Sequence, residues 1–79
     1  MPTPEELKEE EKRLRQLRLA VSLTMSTISQ TTLSLEEASR MVIATRELAL
    51  RLFPGKEAVF DLIYQPRFRR LLTERFRLH

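Results

Sequence analysis

The sequence predicts an all-α domain: a small helical bundle with a long N-terminal helix, a central helix over residues 34–53 and one or two C-terminal helices. Three observations predict it. Ser34 is followed three residues later by Glu37, a capping box in which hydroxyl and carboxylate each satisfy a backbone N–H that has no partner inside a helix. Leu14, Leu17, Val21, Met25 and Ile28 recur at the three- and four-residue steps of one helix face. Phe53-Pro54-Gly55 then closes a long apolar segment with a residue that cannot continue the hydrogen-bond ladder and one that adopts positive φ freely.

The first element starts at Thr3-Pro4-Glu5-Glu6, with Thr3 as N-cap, Pro4 at the first helical position and Glu6 closing a second capping box, so a helix is expected near 4–29. Glu9 with Arg13 and Glu11 with Arg15 have the favourable i,i+4 order, each pair contributing a few tenths of a kcal/mol. Leu7 begins the apolar stripe, Glu10 and Glu11 interrupt it, and from Leu14 onward it reads as a coiled-coil or bundle helix whose acidic start frays. A rival reading exists for the middle, because residues 17–26 alternate Leu17, Leu19, Val21, Leu23 and Met25 with Arg18, Ala20, Ser22, Thr24 and Ser26. As a strand this part would form an intermolecular β-ribbon with a second copy, since nothing else in the chain reads as β. Leu, Ala and Met are better helix than strand formers, which favours the helix. Ser29-Gln30-Thr31-Thr32, without large apolar side chains or charges, is the expected turn.

In the central helix Glu36, Glu37, Arg40, Glu47 and Arg51 share one face. Leu35, Ala38, Met41, Val42, Leu48, Ala49, Leu52 and Phe53 cover a wide opposite arc that Ile43 and Leu50 extend. A helix apolar over so much of its circumference is covered from more than one direction. After the Pro54-Gly55 turn, residues 56–65 predict a short helix with Val59, Phe60, Leu62 and Ile63 inward and Glu57, Asp61 and Gln65 outward. Pro66 breaks or kinks it, and residues 67–77 form a fourth helix or a kinked continuation of the third, with Phe68, Leu71, Leu72 and Phe76 as its apolar face.

A chain of 79 residues is a single domain of marginal size, which self-association would stabilise. It has no cysteine, so no disulfide or thiolate metal site supports it, and its acidic, proline-bearing N-terminus is unlike a signal peptide; a cytoplasmic location is expected. The longest uncharged run, residues 19–35, contains nine Ser, Thr or Gln and is too polar for a membrane span. The net charge of +3 belongs to the C-terminal end, where residues 66–79 hold five arginines against one glutamate.

Catalysis needs converging groups that this chain barely offers: His79 is its only histidine, Asp61 its only aspartate, and the Glu10-Glu11 and Glu36-Glu37 pairs sit where solvated helix acids are ordinary. Metal-ligand spacings and Gly-rich phosphate loops are missing, so no enzyme activity, metal or cofactor is expected. The expected role is an interaction or scaffolding module that forms a homodimer through Leu14, Leu17, Val21, Met25 and Ile28, with a further protein partner allowed. The alternative is a small nucleic-acid-binding regulator using Arg67, Arg69, Arg70, Arg75 and Arg77, whose interleaving with Phe and Leu would equally suit an anionic membrane surface. Against both stands a structural role, in which those arginines pair with acids such as Glu57 and Asp61. Residues 34–65 have the outline of a helix-turn-helix, but its second helix would turn Glu57, Asp61 and Gln65 towards phosphates. A ribbon-helix-helix would present Ala20, Ser22 and Thr24, which read bases poorly.

Overall fold

In a computed structural model that describes residues 1–77, the chain folds into four helices: α1 (Pro4–Gln30), α2 (Leu35–Leu52), α3 (Glu57–Ile63) and α4 (Gln65–Phe76). Leu78 and His79 lie outside the described residues. The β-ribbon alternative is overturned, because residues 17–26 lie within the unbroken α1. Their period-2 alternation arises where one helical stripe, Leu17, Val21, Thr24 and Ile28, passes exposed leucines at 19 and 23.

Local chemistry fixes the helix starts. Thr3 Oγ1 accepts the Glu6 N–H at 3.1 Å. Ser34 Oγ accepts the Glu37 N–H at 3.0 Å while Glu37 Oε1 accepts the Ser34 N–H at 3.1 Å, the full reciprocal box. These bonds to Ser34, backbone first and hydroxyl second, hold the Glu37 carboxyl below the usual carboxylate range. The i,i+4 ion pair that closes is Glu36 with Arg40; among the described residues Glu9–Arg13 and Glu11–Arg15 do not reach contact.

α1 and α2 form an antiparallel pair whose seam uses the same spacing on both sides. Leu17, Val21, Thr24 and Ile28 face Ala38, Val42, Thr45 and Ala49, each set stepping by four, three and four residues. Ala38 and Ala49, fully or nearly buried, put little bulk at the seam and let the backbones come close. At its middle the Thr24 and Thr45 hydroxyls meet at 2.6 Å, and Thr45 also donates to the Met41 carbonyl at 2.9 Å.

The C-terminal half crosses this pair as a kinked unit. Gly55 has φ +80, so the turn after α2 uses the left-handed region open to glycine. Tyr64 ends α3 and begins α4, and Pro66 sits in the first turn of α4, where its missing N–H costs little. Backbone bonds from Tyr64 to Phe60 and from Phe68 to Tyr64 bridge the break. The Phe60 ring packs against both the Tyr64 and the Phe68 rings, its centroid 5.3 Å from the first and 6.5 Å from the second. Phe60 and Phe68 enter the core, and α2 packs against the other three helices, as the width of its apolar arc requires. No helix among the described residues is long and apolar enough to cross a membrane.

α3 departs from the expected orientation. Only Phe60 is buried; Val59, Leu62 and Ile63, expected inward, are exposed. A seven-residue helix can turn one narrow face to a core; here it is the Phe60 side, and Arg46 holds the adjacent polar side. Its Nε and Nη2 donate to the two carboxylate oxygens of Asp61 at 2.8 and 3.0 Å, clipping α3 to α2 by its polar side.

Candidate functional site

The helices differ in length, and that difference creates the first surface. α1 has 27 residues and a length of about 40 Å, against 18 residues and about 27 Å for α2. The two are level at their connecting turn, so α1 overruns α2 at the other end: Arg13 lies over the Phe53 ring at 5.9 Å, and residues 1–12 are all exposed. The molecule is correspondingly elongated, 47 × 23 × 15 Å. At the base of the overhang an open-sided groove of about 300 Å³ runs between Leu14 of α1, Leu50 and Phe53 of α2, and Val59 and Ile63 of α3. Its floor includes Phe60, and Lys56 is the charged side chain on its wall.

This placement redistributes the residues expected at a dimer contact. Leu17, Val21 and Ile28 are 7%, 4% and 1% exposed and belong to the chain's own core, with Met25 packed partly buried against them. Leu14 is the member of the stripe that stays at the surface, beside the groove. The groove itself is hidden in the sequence, because the spacing of Val59 and Ile63 points them to the same side as Phe60; its signal is a seven-residue helix with more large apolar side chains than one core face accepts.

The second surface is α4. Phe68 is 1% exposed, and Leu71, Leu72 and Phe76 pack against the core, so the apolar face is spent inside the chain. Arg67, Arg69, Arg70, Arg75 and Arg77 are all exposed. The acid pairing expected for them does not form: among the described residues the ion pairs are Arg40–Glu36 and Arg46–Asp61. Arg46 holds the Asp61 carboxyl below the usual range, chiefly through their hydrogen bonds, and Asp61 in turn raises the Arg46 guanidinium. Arg75 turns back towards α1, where its Nη2 donates to the Thr31 carbonyl at 3.4 Å and its guanidinium lies 5.7 Å from the centroid of the Phe76 ring. That carbonyl lies just past the C-terminus of α1, where a cation meets the negative end of the helix dipole. Arg67 lies 6.0 Å over the Tyr64 ring. Arg67 and Arg69 leave α4 on opposite flanks, Arg69 beside Phe68 and Val42 of α2; Arg70 projects from the side away from Phe68, and Arg77 follows at the C-cap with φ 52.

Nothing in this arrangement brings together a nucleophile, a base and an orienting group, and the described residues contain no group of three or more His, Cys, Asp or Glu side chains placed to hold a metal ion. The chemistry on offer is apolar burial at the groove and charge at α4. No protein-family model matches the chain, and neither a search of curated proteins nor one of solved structures finds a match.

Proposed function

We propose that the chain is a helical interaction module that self-associates as a homodimer, each copy covering the groove of the other with the overhanging start of α1. The observation that carries this reading is the side-by-side position of two uncovered apolar elements. The overhang bears Leu7, 46% exposed, and at its base lies the groove, lined by Leu14 at 36% exposed and by half-exposed Val59 and Ile63. A two-fold axis pairs unlike patches reciprocally, so a chain that carries both an apolar ridge and an apolar groove is complementary to itself. Charge supports the same occupant, since the overhang presents Glu5, Glu6, Glu9 and Glu10 together along one side and the groove wall carries Lys56. A short amphipathic helix in an apolar groove is a recurring mode of recognition.

Sedimentation velocity at tens of micromolar tests it. The unaltered protein is expected to sediment as a dimer, and Leu14→Glu and Ile63→Glu, each at a surface position, are expected to sediment as folded monomers. A monomeric unaltered protein, or a dimer indifferent to both substitutions, overturns the reading.

A further inference from the structure

We propose that the outer face of α4 is a binding surface for the phosphate backbone of a double-stranded nucleic acid, engaged without reading base sequence. The inference does not rest on self-association, because the groove and this face lie on different elements.

The argument begins with charge that has no internal use. Arg67, Arg69, Arg70 and Arg77 are exposed and make no ion pair among the described residues: Glu74, four residues after Arg70 and three before Arg77, closes none with them, and Asp61 is already held by both prongs of Arg46. Glu74 is the one acid on α4 itself. All the cations are arginines, whose planar fork meets two phosphate oxygens at once, where a lysine would act as a point charge. Five arginines within residues 67–77, against one acid, set up a positive potential along α4 that a polyanion neutralises.

The backbone beneath them is rigid. Phe68 is almost fully buried, the packing of Phe60 on Tyr64 and Phe68 crosses the α3–α4 break, and Leu71 and Leu72 pack on the core. Arg67 to Arg77 therefore spans about 15 Å at the helical rise, close to four phosphates of one strand at about 3.4 Å of axis each.

The same packing selects among polyanions. An interfacial membrane helix needs its apolar face free for the acyl boundary, whereas the apolar face of α4 is inside the bundle. Single strands are held by stacking on exposed aromatics, whereas Phe68 is buried and Tyr64 and Phe76 are partly buried with Arg67 and Arg75 over their rings. Base reading uses a row of side chains on one helix face, Arg on guanine and Asn or Gln on adenine; here the arginines leave α4 on different sides, and its one amide, Gln65, is half-buried with its Oε1 turned away from solvent. What is left is the phosphate ladder of a duplex.

Fluorescence anisotropy with a mixed-sequence duplex of about 20 base pairs, as DNA and as RNA, tests this at rising salt, beside the matching single strand, phosphatidylserine vesicles and polyglutamate. Neutralising about three or four phosphates gives a log–log salt slope of roughly −2.7 to −3.6. The expected result is duplex binding with that slope, insensitive to sequence, lost in Arg69→Glu with Arg70→Glu and strengthened several-fold in Glu74→Gln. Arg69→Gln with Arg70→Gln, which removes the charge without reversing it, is expected to weaken binding at least tenfold while the circular dichroism melt stays unshifted. Absence of duplex binding at low salt overturns the proposal. So does preference for the single strand, vesicles or polyglutamate, an unchanged affinity in the neutralised variant, or a melt of that variant lowered enough to make the arginines structural.

Discussion

Thr24 and Thr45 are the polar side chains sealed into the core, and the bookkeeping of their protons decides how they act. Thr45 donates to the Met41 carbonyl one turn back in its own helix, so Thr24 must be the donor in the 2.6 Å contact between the two hydroxyls. The arrangement is asymmetric: removing the Thr24 hydroxyl leaves Thr45 bonded to Met41, whereas removing the Thr45 hydroxyl strands the proton of Thr24 against a methyl group. Thr45→Val is therefore expected to cost about 1–3 kcal/mol and Thr24→Val about 1 kcal/mol or less. The double variant should be no less stable than Thr45→Val alone, because two methyl groups fill the seam without an unpaired donor. Urea midpoints of the three variants check this, and strictly additive losses would mean that the hydroxyls are not coupled. The positions of both threonines were legible in the sequence as members of two matching 4-3-4 stripes. Their contact was not, since it depends on how two helices align across a turn, and Thr24 alone fits a polar strand position equally well.

At the scale of elements, what the sequence encodes within a few residues is what it reveals. Both N-caps complete their bonds over three residues, and the Pro54-Gly55 stop acts where it stands, so helix starts and ends follow from local chemistry. The facing of α3 is of another kind. Its four large apolar residues cover a little under half of the helix circumference, and which edge of that arc faces the core depends on partners outside the segment: Phe60 packs inward while Arg46, fifteen residues away, grips Asp61. The groove follows from that choice, which is why this half of the candidate site was illegible. Gly55 controls the angle at which α3 leaves α2, and a Cβ built there would meet nothing within 4 Å. The whole cost of a side chain at Gly55 is thus its φ of +80. Gly55→Val should destabilise by about 1–2 kcal/mol, while Gly55→Asn, whose side chain tolerates the left-handed region, should cost roughly half as much or less. Thermal melts separate the cases; equal losses for Val and Asn would mean that contacts, and not the backbone, set the penalty.

For the molecule as a whole the controlling fact is how little of it is interior. Among the described residues eight apolar side chains form the buried core, and the longest helix extends past everything there that could cover it. The basic C-terminal segment was plain from composition, and so was the burial of its Phe and Leu face, but the freedom of its arginines was not. Pairing depends on which acid each guanidinium can reach, and Asp61 was taken by a residue of another helix. Stability of this size is small, on the order of 0.1 kcal/mol per residue, so an interface that removes the exposed leucines at 7 and 14 from water should be visible in the unfolding equilibrium itself. If unfolding is coupled to dissociation, a tenfold rise in protein concentration raises apparent stability by up to about 1.4 kcal/mol, which for a domain of this length is roughly 5–10 °C in melting temperature. Deleting residues 1–10 should abolish that dependence without touching the core, because every side chain removed is exposed and the Arg13 contact with Phe53 remains. Scanning calorimetry of both proteins across a hundredfold range of concentration gives the answer. A melting temperature independent of concentration in the full chain, or equally dependent in the shortened one, would place the overhang outside any interface.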